Sequence, residues 1–217
     1  MTELVDLLLL AVIVLDLYVV STGRLAACVR ASAIQGAALA CLPIALWAGR
    51  PTAHLAEIGA ISAGTLIVKA LVIPRLLLRA IREAGVRREV EPFVSLHVSV
   101  VIATLLIALS FWLGRLLVLP GPVPSTLLVP AAFATLLLGF LMLVTRKKAV
   151  AQVVGYLLVE NGVFIVGQTL AGDIPLTVEL GMLLDLFVGI FIFGITIFQI
   201  SDEFDHIDTS ALTRLRD

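Results

Sequence analysis

Charge is scarce in this chain. Lys, Arg, Asp and Glu together make up 14% of its 217 residues, against roughly 25% in ordinary soluble domains. A water-soluble domain of this size would need more polar surface than that to cover its core. The net charge is −1, so no global basic field draws in nucleic acid, and no nucleic-acid partner is expected. Cysteine is nearly absent: Cys28 and Cys41 stand thirteen residues apart on one apolar segment, with no C-x-x-C pair. They are expected to pack as small hydrophobes rather than to bind metal or form a disulfide. The three histidines, His54, His97 and His206, are scattered and offer no paired intramembrane haem ligands, so no cofactor is expected in this chain. The first twenty residues hold no Lys or Arg, which a secretory leader needs in its n-region. That stretch reads as a retained first span.

What is present is apolar sequence. Hydrophobic residues reach 60% and the mean hydropathy is +1.13. A spanning helix needs about 20 apolar residues, and on that ruler the chain predicts seven: 4–20, 26–48, 57–78, 94–118, 126–145, 149–171 and 176–200. The apolar runs are continuous rather than alternating, which excludes a β-barrel. In lipid, helices satisfy their own backbone groups. The expected fold is therefore all-α and polytopic, with three parts: a four-helix region over 1–125, a three-helix region over 126–200, and a tail over 201–217.

Positive charge alternates between the connections. Arg24 and Arg30 follow the first span, Arg75, Arg79, Arg82, Arg87 and Arg88 the third, and Arg146, Lys147 and Lys148 the fifth, while Arg214 and Arg216 lie in the tail. The opposite set carries only Arg50 and Arg115. Cytoplasmic loops collect Lys and Arg, so the N-terminus is expected outside and the C-terminus in the cytoplasm.

Three ionisable residues fall deep in these runs: Lys69 in the third span, Glu160 in the sixth and Asp185 in the seventh. Counted along a helix, Lys69 and Asp185 lie about 18 and about 14 Å from the outer end of their spans, and Glu160 about 17 Å from the inner end of its own. In a hydrocarbon layer about 30 Å thick, all three reach nearly one level. Each costs about 2.5–3.5 kcal/mol at a helix centre, so each must face protein, water or another charge. Groups that change charge at a shared depth suit sideways movement of protons. A static Lys–carboxylate pair that holds helices together is the plainer alternative. Pro74, five residues after Lys69, cannot donate to the carbonyl of Ala70 and is expected to interrupt the third span. Gly155, Gly162 and Gly167 on the sixth span, and Gly181 and Gly189 flanking Asp185 on the seventh, are expected to let helices approach closely. Asp16, near the inner end of the first span, Glu179, at the outer end of the seventh, and His97, at the inner end of the fourth, are secondary candidates. Their expected setting is the membrane interface, where water or a helix terminus satisfies them.

The stretches "QVVGYLLVENGVFIVG" (152–167), "VELGMLLDLFVGIFIFGI" (178–195) and "TLIVKALVIPRLLLRAI" (65–81) resemble the hydrogenase-4 component E family, membrane subunits of formate hydrogenlyase and related group 4 nickel–iron hydrogenases. Residues 126–200 also resemble the K-type small subunit of complex I and the C subunit of Mrp-type cation/proton antiporters. In that comparison Glu160 and Asp185 match proton-path carboxylates, with aspartate one methylene shorter at the second position. Lys69 is matched only by component E.

This resemblance implies a non-catalytic subunit in a bacterial or archaeal cell membrane. Antiporter-like and other membrane subunits would lie beside it, and cytoplasmic hydrogenase-like subunits would hold the nickel–iron and iron–sulfur centres. The expected role is proton or sodium translocation coupled to redox chemistry. The rivals are a structural spacer of the membrane arm and a subunit of an Mrp-type antiporter with no redox partner.

Overall fold

The computed structural model describes residues 2–47, 55–83, 93–117 and 125–170, and these are helical apart from short connections. In chain order the helices are α1 (Thr2–Ser21), α2 (Leu25–Trp47), α3 (Leu55–Thr65), a π-helical segment (Leu66–Val72), α4 (Ile73–Glu83), α5 (Leu96–Leu116), α6 (Leu128–Thr145) and α7 (Ala149–Leu170). The π-helical segment joins α3 and α4 into one span, so the described residues contain six helices long and apolar enough to cross a membrane. They coincide with the first six expected spans to within a few residues. The seventh, 176–200, and the tail, 201–217, lie outside the described residues.

Local sequence sets the helix ends. At the start of α5 the Ser95 hydroxyl accepts from Val98 N at 3.4 Å, meeting one of the backbone donors a helix start leaves unpaired. Before α6 the Ser125 hydroxyl accepts from Leu127 N at 3.0 Å and donates to Asp6 Oδ1, which ties this corner to the first turns of α1. Only Arg146, Lys147 and Lys148 separate α6 from α7. So short a connection forces the two helices antiparallel, and they form the most extensive pairing among the described residues. Their approach uses the small residues the sequence suggested: a Cβ added at Gly155 would stand 2.9 Å from Met142 Cβ and 3.1 Å from Gly139 O.

The interruption expected at Pro74 takes the form of the π-helical segment. Ile73 N donates to Val68 O, five residues back, and the next residue, Pro74, has no N–H to continue either pattern. A π-bulge of this kind widens the helix locally and re-aims its side chains. Beyond it, α4 turns amphipathic. Ile73, Leu77 and Ile81 are buried on one side, and Arg75, Arg79 and Arg82 are exposed on the other.

The arrangement encloses two apolar clusters. One contains Val19, Val20, Leu25, Ile73, Leu77, Leu138, Met142 and the first half of α7. The other contains Val5, Leu9, Leu39, Leu42, Leu128, Ala131, Phe164 and Ile165. Between them, along α1, α2, α6 and α7 alike, lies a short gap in the apolar sequence. On α5 an outward stripe of Val98, Val101, Leu105, Leu109, Trp112 and Leu116 is exposed at helical spacing, as expected of a face turned to lipid.

Candidate functional site

The gap between the two apolar clusters is filled by polar side chains from five of the six spans. Lys69, in the middle of the π-helical segment, is 6% exposed, Glu160 on α7 is 2% exposed, and Lys69 Nζ lies 2.6 Å from Glu160 Oε1. The same ammonium donates to Asn161 Oδ1 at 3.0 Å and sits 5.2 Å from the centre of the Phe164 ring, within cation–π range. Asn161 Nδ2 donates to Gln35 Oε1 at 3.0 Å, which brings in α2. Gln35 Nε2 donates to Asp16 Oδ1 at 2.6 Å, and the Thr135 hydroxyl donates to Asp16 Oδ2 at 2.7 Å. An ion pair and four hydrogen bonds thus form a single chain, Glu160–Lys69–Asn161–Gln35–Asp16–Thr135.

Backbone placement makes this chain possible. Gln35, Lys69, Thr135 and Glu160 each fall close to the midpoint of their own helical span, so helices packed side by side bring them to one level. Lys69 reaches across because α2 carries glycine where the two elements meet. A Cβ at Gly36 would stand 2.8 Å from Lys69 Cβ and 3.0 Å from its carbonyl carbon. Asp16 is four to five residues past the middle of α1, about 7 Å at helical rise, and the long Gln35 side chain bridges that offset.

Of the residues singled out from sequence, Lys69 and Glu160 are brought together. Asp185 and Glu179 lie outside the described residues. His97 is exposed at the start of α5. Asp6 is half-buried and bonded to Ser125. Asp16 departs from its expected interfacial setting. It is 0% exposed, with α2 and α6 packed against α1, and its two oxygens accept from Gln35 and Thr135. Arg146, counted among the loop charges, is also fully buried: its Nη2 donates to Val20 O at 2.6 Å and its Nε to Met142 Sδ at 3.4 Å. Of the two cysteines, Cys28 is buried, its thiol donating to Val19 O at 3.7 Å, and Cys41 is exposed.

Sequence reasoning passed over Gln35 and Thr135 and gave Asn161 no role. The signal that could have found them is the same depth count applied to uncharged groups, because a buried amide or hydroxyl also needs a partner in a dry interior. Chemically, the seam couples an acid–amine pair to a second carboxylate through two amides. Such a set can hold or exchange protons. Among the described residues no three or more His, Cys, Asp and Glu side chains gather as a metal site would require.

No protein-family model matches the chain, and no solved structure matches it. It is 25% identical over 155 residues to hydrogenase-4 component E of Escherichia coli strain K12, covering 71% of this chain and 72% of that protein, and is equally similar to hydrogenase-4 component E of Shigella flexneri. It is 33% identical over 215 residues to the uncharacterized protein Rv0085 of Mycobacterium tuberculosis, covering 99% of this chain and 96% of the relative. At that identity and coverage, the chain belongs to the same family as Rv0085.

Proposed function

We propose that this chain is a non-catalytic membrane subunit of a group 4 hydrogenase-like or complex I-like assembly, in which Lys69 and Glu160 exchange protons as part of ion translocation. The observation that carries the reading is the buried Lys69–Glu160 pair, 2.6 Å apart between two apolar clusters. A charged pair in that position is costly to build. A role in which its members gain and lose protons accounts for that cost better than packing alone. The similarity to hydrogenase-4 component E supports placement in a multisubunit membrane complex. In this reading Asp185 is a further proton-carrying carboxylate, the redox chemistry belongs to cytoplasmic partner subunits, and the N-terminus faces outward.

The test is Glu160→Gln in the assembled complex, with proton uptake measured in sealed membrane vesicles. The reading expects coupling per assembled complex to fall at least tenfold. Normal assembly with undiminished coupling removes Glu160 from the path.

The second reading, a structural spacer, is favoured by one feature: Lys69, Asn161, Gln35 and Asp16 are already bonded to one another in one continuous line. Changing both Lys69→Met and Glu160→Gln separates the two. Full ion coupling in an assembled double variant supports the spacer.

A further inference from the structure

Every hydrogen bond between Lys69 and Asp16 points the same way. Lys69 donates to Asn161, Asn161 donates to Gln35, and Gln35 donates to Asp16. The direction follows from the two ends. An ionised carboxylate only accepts, so Gln35 must turn its NH2 group to Asp16. That leaves the Gln35 carbonyl for Asn161 and the Asn161 carbonyl for Lys69, whose ammonium only donates.

The reverse arrangement is equally complete. With a proton on Oδ1, Asp16 donates to the Gln35 carbonyl. The Gln35 NH2 group then donates to the Asn161 carbonyl, and the Asn161 NH2 group donates to the lone pair of a neutral Lys69 amine. The Thr135 hydroxyl, on Asp16 Oδ2, serves both arrangements and leaves Oδ1 as the oxygen that takes the proton. Mixed arrangements set donor against donor or acceptor against acceptor in a dry site, where an unmade bond is expensive.

We infer that Gln35 and Asn161 form a two-position relay that ties the proton occupancy of Asp16 to that of Lys69. Asp16 thereby becomes a further proton-exchanging residue, and the two amides are positioning residues. The inference rests on the reading of Lys69 and Glu160 as a proton-exchanging pair.

The amides carry no proton themselves. Between the two arrangements Lys69 gives up one proton by way of Glu160, 2.6 Å away, which passes it on to solvent and stays ionised to accept from the neutral amine, Asp16 takes one proton up from solvent, and both amides turn over. The unit formed by Asp16 and Lys69 is neutral in both: carboxylate with ammonium, or acid with amine. Among the described residues the buried charged side chains are Asp16, Lys69, Glu160 and Arg146. The last is engaged with the Val20 carbonyl and Met142. Two electrically balanced, fully bonded arrangements make a bistable element of the kind that couples distant sites.

The test is infrared difference spectroscopy across pH on the full-length chain in lipid nanodiscs. The protonated Asp16 band is assigned by its loss in Asp16→Asn, and the side-chain amide carbonyls are marked by 13C-labelled glutamine and asparagine. In the unsubstituted protein, protonation of Asp16 is expected to shift labelled amide bands that vanish in Gln35→Met and Asn161→Leu. Protonation with unmoved amide bands overturns the relay, and this readout needs no variant to keep its fold apart from the assignments.

A second measurement removes Lys69 and Glu160 together, by Lys69→Met and Glu160→Gln, which takes away no net charge. At fixed pH the ratio of protonated to ionised Asp16 is then expected to rise about tenfold, a typical coupling strength. Adding Asn161→Leu to both backgrounds should abolish most of that change, and an unaltered tenfold change there overturns the relay. Loss of proton uptake in Glu160→Gln with unmoved amide bands overturns the relay and keeps the translocation reading. Moving amide bands with intact uptake keep the relay and overturn translocation through Glu160.

Discussion

Lys69 and Glu160 are ninety-one residues apart in sequence and 2.6 Å apart in space, each almost fully removed from solvent. Neither tolerates loss of the other well. Removing one member of a buried pair leaves an uncompensated charge and costs about 3–5 kcal/mol, whereas replacing both by apolar or neutral groups of similar volume is often close to neutral. Lys69→Met alone and Glu160→Gln alone are therefore expected to destabilise the protein more than the two changes combined. Thermal unfolding of the four forms in one detergent checks this as a double-mutant cycle. Additive losses would mean that the pair is not energetically coupled.

Gly36 sets how closely α2 approaches the π-helical segment. An alanine Cβ there would lie 2.8 Å from Lys69 Cβ and 3.0 Å from a backbone carbon that cannot rotate away. Gly36→Ala is expected to cost about 1–3 kcal/mol, the usual range for overpacking, and to pull Lys69 away from Asn161. Gly64, on the same span as Lys69, has nothing within 4 Å of its would-be Cβ, so Gly64→Ala should be tolerated or gain up to about 1 kcal/mol from helix propensity. Unfolding midpoints of the two variants decide it: equal loss in both would show that the close approach is not what Gly36 provides.

The parts of this architecture legible in the sequence are those that carry charge or length. Six apolar runs of the required length became six spans, and Lys69 and Glu160 stood out because ionisable groups are rare inside such runs. Asp16 shows where a depth count fails. Its distance from the end of α1 suggested the interface, but burial depends on the neighbours, and Gln35 of α2 and Thr135 of α6 meet it there. Gln35, Thr135 and Asn161 were hidden for a different reason. Uncharged polar residues are common in membrane helices, and only tertiary contact shows which of them meet. Pro74 announced an interruption, but not that it would take a π-helical form over Leu66–Val72. Arg146 read as a loop charge because its burial depends on the end of α1, 126 residues away.

Thr135 holds the second oxygen of Asp16 through its hydroxyl at 2.7 Å. Thr135→Val preserves shape and removes the donor, and a bond to a charged group contributes about 1.5–3 kcal/mol. Thr135→Ser keeps the hydroxyl and should retain most of that. The expected order of unfolding temperature is wild type, then Thr135→Ser, then Thr135→Val. If the valine variant melts with or above the serine variant, the Asp16 oxygen does not depend on this hydroxyl.

Arg146 joins the turn after α6 to the last turn of α1. Its Nη2 meets the Val20 carbonyl at 2.6 Å, and its own carbonyl accepts from Gln152 Nε2 at 3.0 Å. The final carbonyls of a helix have no partner within it, and a cation placed against them is stabilising. A lysine keeps the charge but presents a single point of donation in place of the planar fork, so it cannot serve Val20 O and Met142 Sδ with the same geometry. Arg146→Lys is expected to lose about 1–2 kcal/mol and Arg146→Met about 2–4 kcal/mol, while Lys148→Met, at a partly exposed position, should change stability by less than about 0.5 kcal/mol. Amide exchange provides the sharper check. In Arg146→Met the loss of protection should concentrate at Val19, Val20 and the start of α7, whereas a uniform loss along all six spans would show that Arg146 does not act through the end of α1.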